Sequence, residues 1–307
     1  MNGLCDERVV PSVNRVGYPF QRRIAKEIGD AGWRVDFEHD TRFFTENSEE
    51  LRAKVDILAS LGIAGSPAPK TSSIVECKRR DPRHVSWLFF SRAADTTGSV
   101  GSAETCDVIF CTPNAVGRDG VIYGHKAEYI TLTMNEIGNC RTVYDYYLQR
   151  KSENDVKPDD IEGAFHQVAV GLRGVMRNLY ISRETGNGMM MDVVPRRTAL
   201  LPVVVTTAPI VACSFRDGQV DISDGIIKSE EVEQRSMPWI LCSYKLPYEL
   251  QLHDLRTLAG NQHSLDHLDI WVVRGSSTRE FYEKMKKDAE SSWDNDILKF
   301  QLLEARK

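Results

Sequence analysis

The stretch Ser73-Ile74-Val75-Glu76-Cys77-Lys78 decides how the chain is read. It has the apolar, β-branched character of a buried strand, yet it ends on Glu-Cys-Lys. Side chains alternate across a strand, so Glu76 and Lys78 share a face with Ile74, about 7 Å apart, while Val75 and Cys77 turn to the other face. Upstream, Lys54-Val55-Asp56-Ile57-Leu58-Ala59 is a second apolar-rich strand broken by an aspartate. An unpaired buried charge is costly, so Asp56, Glu76 and Lys78 belong together, solvated at a sheet edge or cleft or gathered around a metal. Two carboxylates and the Cys77 backbone carbonyl offer hard oxygens to Mg²⁺, which keeps several waters and suits phosphate chemistry. A lysine two residues from such a ligand can orient an attacking water and stabilise charge on a phosphoryl oxygen.

Val55-Asp56, nineteen residues, then Glu76-Cys77-Lys78 resembles the PD-(D/E)XK signature of the restriction-endonuclease-like nucleases, with Val55 in place of the proline. The resemblance implies an α/β fold: a mixed central β-sheet flanked by helices, with an insertion after the third core strand and a β-rich C-terminal extension. It implies a metal-dependent nuclease that hydrolyses phosphodiester bonds, with Mg²⁺ as cofactor and Mn²⁺ as substitute. DNA is the commoner substrate of that family, RNA stays open, and defence or DNA processing would be its setting. Asp56 and Glu76 would ligate the metal with the Cys77 carbonyl, and Lys78 would help position the attacking water. Two further residues fit family roles: Glu27 on the first helix as the accessory acid, and Gln167 on the helix after the motif as a glutamine facing the site. The plain alternatives are a solvated helix charge for Glu27 and an ordinary polar position for Gln167. The competing reading of the whole is a nucleic-acid-binding or scaffold protein that keeps the fold without cutting.

The 307 residues carry a net charge of −5, with 41% apolar and 27% charged residues, the balance of a soluble globular protein. That charge does not advertise nucleic acid, although phosphate contacts need only a local basic patch. Arg79 and Arg80 flank the motif, and Arg173 and Arg177 stand four apart on one helix, so these four are the candidate phosphate-binding residues. Seven scattered cysteines without CxxC pairing suit reduced thiols in a cytoplasmic protein. The first residues, Met1 to Glu7, have no basic segment followed by an apolar stretch, so no signal peptide is expected, and the apolar run from Ala199 to Cys213 is broken by Pro202 and Pro209 and is too short for a membrane span. No membrane partner is expected, and a homodimer stays open.

One domain, 1–307, is expected, with its core in 18–78 and 158–215, an insertion over 79–157 and the extension over 216–307. Periodicity predicts a helix from Tyr18 to Ala31, with Phe20, Ile24 and Ile28 as its stripe, and strands at 33–38, 52–60 and 73–78. Residues 41–50 and 62–72 read as connections. In the insertion, 107–112 and 120–124 read as strands and 144–151 as a helix. Asp159 and Glu162 form a capping box for a helix reaching about Tyr180, whose Gly163, Gly171 and Gly174 suggest close approach of the sheet or of a ligand. Residues 200–208 read as a buried strand with Pro202 at its start. A hairpin is expected around Asp217-Gly218, strands at 239–244 and 268–273, and a helix from Thr278 to about Glu290 with a further helical stretch closing the chain. His253, His263 and His267 lack the companions of a zinc site. The glycines at 98–101 lack the Lys-Ser/Thr of a P-loop.

Overall fold

The computed structural model describes residues 17–44, 50–62, 70–83, 85–91, 105–113, 125–138, 143–152, 155–157, 159–181, 198–215, 221, 223, 226–228, 232–256 and 262–293. A mixed sheet runs through all of it. Helix α1 (Tyr18–Asp30) leads into the antiparallel strands β1 (Arg34–Phe44), β2 (Glu50–Leu61) and β3 (Lys70–Lys78). Strands β4 (Ser86–Ser91), β5 (Thr105–Pro113), β6 (His125–Thr133), β7 (Val143–Ser152) and β8 (Asp155–Lys157) follow. Helix α2 (Asp159–Ile181) then returns the chain to β9 (Thr198–Thr206), which pairs with β3 in parallel from Lys70↔Thr198 to Lys78↔Thr206. Strands β10 (Ile210–Ser214), β11 (Glu233–Met237), β12 (Trp239–Lys245), β13 (Leu252–Arg256), β14 (Gln262–Leu265) and β15 (His267–Arg274) and helix α3 (Thr278–Asp288) complete the strands and α-helices among the described residues. No helix among the described residues is long and apolar enough to cross a membrane.

All nine side chains of β9 are buried, because both faces of the sheet are covered there. On one face α2 packs with Phe165, Val168 and Leu172 over Ile74, Leu200, Val204 and Ile270. On the other, α1 and α3 pack with Ile24, Ile28, Phe281 and Met285 over Ile57, Val75, Cys77 and Val203. The sheet forks at β9. Its edge away from β3 pairs with β5 at Leu200 and with β15 from Val203 onward. Pro202 sits at that fork, inside the strand and not at its start. The residue that cannot donate to a ladder lies where one neighbour hands over to the next.

Several expected elements change. Residues 144–151 form strand β7 and not a helix. β10 pairs with β11 and β4, so its antiparallel partner is Glu233–Met237 and not the 218–222 segment of the expected hairpin. β1 and β2 run on to Phe44 and from Glu50, into what reads as a polar connection. Residues 98–101, 120–124, 216–220 and 294–307 lie outside the described residues. Of the histidines, His253, His263 and His267 fall on β13, β14 and β15, so His263 and His267 share no helix face.

Candidate active site

The β2–β3 ladder ends at Ile57↔Val75. One step further, Asp56 faces Glu76 across the opened ends of the strands. The N–H of Cys77, free of a ladder partner there, donates instead to Asp56 Oδ2 at 2.8 Å. Residues that face each other in a ladder exchange both N–H and C=O on one edge, so the Cys77 carbonyl leaves β3 towards the same gap. The backbone is irregular on both strands at this level. Val55 lies under Gly171 of α2 while Ile57 packs on the α1 side, so the alternation of β2 breaks at Asp56. On β1, between the Phe37↔Ile57 and His39↔Val55 pairs, Glu38 adopts φ 57°, a left-handed conformation rare for a residue with a Cβ. Such outliers cluster at functional sites.

Each charge has a defined partner. Gln21 Nε2 of α1 donates to Asp56 Oδ1 at 2.8 Å. Lys78 Nζ lies 2.7 Å from Glu76 Oε1 and also donates to Gln167 Oε1 of α2. Two glutamines from helices on opposite faces of the sheet therefore hold the two ends of the cluster. Glu76 is only 7% exposed. Burial, and then the charge of Asp56, push its pKa up to about 7, with Lys78 acting against both. Burial also raises Asp56, opposed by the Cys77 N–H, Lys78 and Gln21. The Cys77 thiol is buried in the core and held well above its ordinary value by desolvation, which makes it a packing residue and no nucleophile.

The structure thus brings Asp56, Glu76, Lys78, Gln167 and the Cys77 backbone together. Glu27 is not among them, for its carboxylate pairs with Arg23 one turn back on α1. The α1 side chain at the site is Gln21. It lies three residues before Ile24 and seven before Ile28 on the buried stripe of the helix, and a polar residue at that spacing was the signal available in the sequence. Arg79 is exposed beside the cluster. Arg80 is tied down: its Nε lies 3.3 Å from Asp160 Oδ2 without hydrogen-bond geometry, its Nη1 donates to the Arg79 carbonyl, and its N–H donates to Thr207 Oγ1 at 2.6 Å. It therefore joins the end of β3 to the starts of α2 and of the β9–β10 turn. Arg173 is half-buried on α2, and the Arg177 side chain lies outside the described residues.

The donor set fits a hard divalent cation. Two carboxylates, one buried and resisting ionisation, face each other, and a cation between them would offset both the desolvation and the repulsion. No group of three or more His, Cys, Asp or Glu side chains with the makings of a metal site occurs among the described residues, so the protein would offer two carboxylates and leave room for retained waters. Comparison of the chain with protein-family models, curated proteins and solved structures finds no match.

Proposed function

We propose that the chain is a metal-dependent nuclease that hydrolyses phosphodiester bonds in DNA. The observation that carries this reading is the opened end of β2 and β3, where Asp56 faces Glu76 and Lys78 stands next on the same face, held by Gln167. The opening order α1-β1-β2-β3, taken up again after β4–β8 by α2 and the buried β9, supports it, since helix, three strands and a later helix and buried strand are what the resemblance implies. Asp56, Glu76 and the Cys77 carbonyl would hold Mg²⁺. When bound, the cation supplies positive charge for the non-bridging oxygen and the leaving group.

The chain's own residues do the rest. Gln21 and the Cys77 N–H fix Asp56. Glu76 keeps the Lys78 ammonium at the gap, and the Gln167 amide oxygen sets its direction, so the positive charge is in place before the phosphate gains negative charge. Lys78 orients the attacking water and meets the developing charge. Exposed Arg79, one residue on, can take an adjacent phosphate.

The test is incubation of the purified protein with plasmid, linear duplex, single-stranded DNA and RNA in Mg²⁺, Mn²⁺, Ca²⁺ or EDTA. Cleavage in Mg²⁺ and Mn²⁺, with binding but little turnover in Ca²⁺, is expected. Full cleavage in EDTA after dialysis would sink the metal mechanism, and nucleic-acid binding with no cleavage under any condition would favour the non-cutting scaffold.

A further inference from the structure

We propose that Gln21 is a positioning residue for the cation site: its side-chain amide and the Cys77 N–H together fix the Asp56 carboxylate, leaving one lone pair of each oxygen for the metal. The inference rests on the metal-dependent reading above and assigns a role to a residue which that reading does not require.

Three observations carry it. First, Gln21 is half-buried beside Phe20 at the start of the α1 stripe, three residues before Ile24, which is 1% exposed, so its amide is turned towards the sheet and not fully into solvent. Second, its bond reaches from a helix on one face of the sheet to a strand residue 35 positions away, at 2.8 Å, so it is a tertiary bond and no local cap. A carboxylate only accepts, which fixes the amide nitrogen as the atom facing Asp56. Third, the two bonds divide the carboxylate evenly. Oδ1 accepts from Gln21 and Oδ2 from Cys77. A carboxylate has about four lone-pair sites, so one remains on each oxygen. With the Cys77 bond alone the group could swing about its terminal torsion, which has broad minima. Hydrogen-bond partners of ligand side chains typically account for 10–100-fold in metal affinity.

The experiment is direct Mn²⁺ binding to the full chain without nucleic acid, followed by calorimetry and by the electron paramagnetic resonance of free Mn²⁺. Gln21→Met keeps the length and volume of the side chain, suits the apolar stripe and removes only the donor. Its melting temperature should hold while the Mn²⁺ Kd rises by roughly 10–100-fold. Gln21→Asn keeps an amide one methylene short and should lose affinity similarly, and it carries the test should the methionine variant not fold. In cleavage, both variants should need more Mg²⁺ for half-maximal rate, with a smaller loss at saturation. Wild-type Mn²⁺ affinity in a folded Gln21→Met overturns the proposal and leaves the nuclease reading standing. A wild-type chain that binds no Mn²⁺ overturns both.

Discussion

At Glu76 two effects push the same way. Burial strips the carboxylate of water, Asp56 faces it with like charge, and its pKa rises from 4.5 to about 7. Between those values the folded chain keeps a proton that the unfolded chain has released. Stability contributed by this group is therefore highest below about 4.5, falls as pH rises to about 7, and is level above; the span is of the order of 3 kcal/mol. In EDTA, the melting temperature should drop between pH 5 and pH 8, Glu76→Gln should flatten part of that drop, and Mn²⁺ should restore stability most at the alkaline end. A pH slope identical in wild type and Glu76→Gln would assign it to other carboxylates, of which Asp56 and Asp288 are raised in the same direction by burial. Residues of this kind were legible in the sequence because a charge inside a strand breaks a pattern. Gln21 leaves a fainter mark, a polar residue three before Ile24 and seven before Ile28, and its role follows only from its partner 35 positions away. Glu38 was hidden, since the sequence does not write the sign of φ for a glutamate.

The glycines of α2 separate two effects at the level of the element. A Cβ on Gly171 would stand 2.7 Å from Val55 Cγ2 and 3.2 Å from Ile74 Cγ2, the neighbours of Asp56 and Val75 in their strands. A Cβ on Gly163 would meet nothing within 4 Å. Gly163→Ala should thus stabilise the chain by about 0.5–1 kcal/mol through helix propensity. Gly171→Ala gains the same propensity but must lift α2 from β2, at a cost of about 1–3 kcal/mol for overpacking, and should be destabilised overall with a weakened site. Chemical denaturation of the two variants checks this, and equal stabilisation of both would deny the close contact. The close approach of this helix was readable from its glycines, although it holds at Gly171 and not at Gly163. Strand β7 stands where a helix over 144–151 is expected, and its ladder is irregular. Phe90 pairs with Tyr146 but Ser91 pairs with Tyr144, so a bulge takes up Asp145. Tyr144 and Tyr147 consequently both lie against Phe89, at a spacing of three that imitates a helix.

Across the whole molecule, the segments taken as insertion and extension are parts of one sheet. β5 and β15 share the edge of β9 opposite β3. Helix α3 is bound into the core as well: Trp33 Nε1 donates to the Tyr282 carbonyl at 3.1 Å, and Ser73 Oγ lies 2.7 Å from the Tyr282 hydroxyl. Buried Asp288, at the end of α3, accepts the N–H groups of Glu136 and Ile137 at 2.9 and 3.0 Å, which pins the turn after β6. The core order and the site strands were legible because they rest on local pattern. The fork, and the pairing of β10 with β4 and β11, were not, because they join residues far apart in the chain and no local pattern encodes a partner. This framework holds the charged cluster at one opened ladder end, and the most direct test of what the cluster does is the rate of DNA cleavage by Lys78→Ala beside its Mn²⁺ affinity. The substitution removes the ammonium and leaves Asp56 and Glu76 in place. Metal binding should survive while the rate at saturating Mg²⁺ falls by roughly 100-fold or more, since the loss falls on the transition state. Cleavage by Lys78→Ala at the wild-type rate would contradict the account.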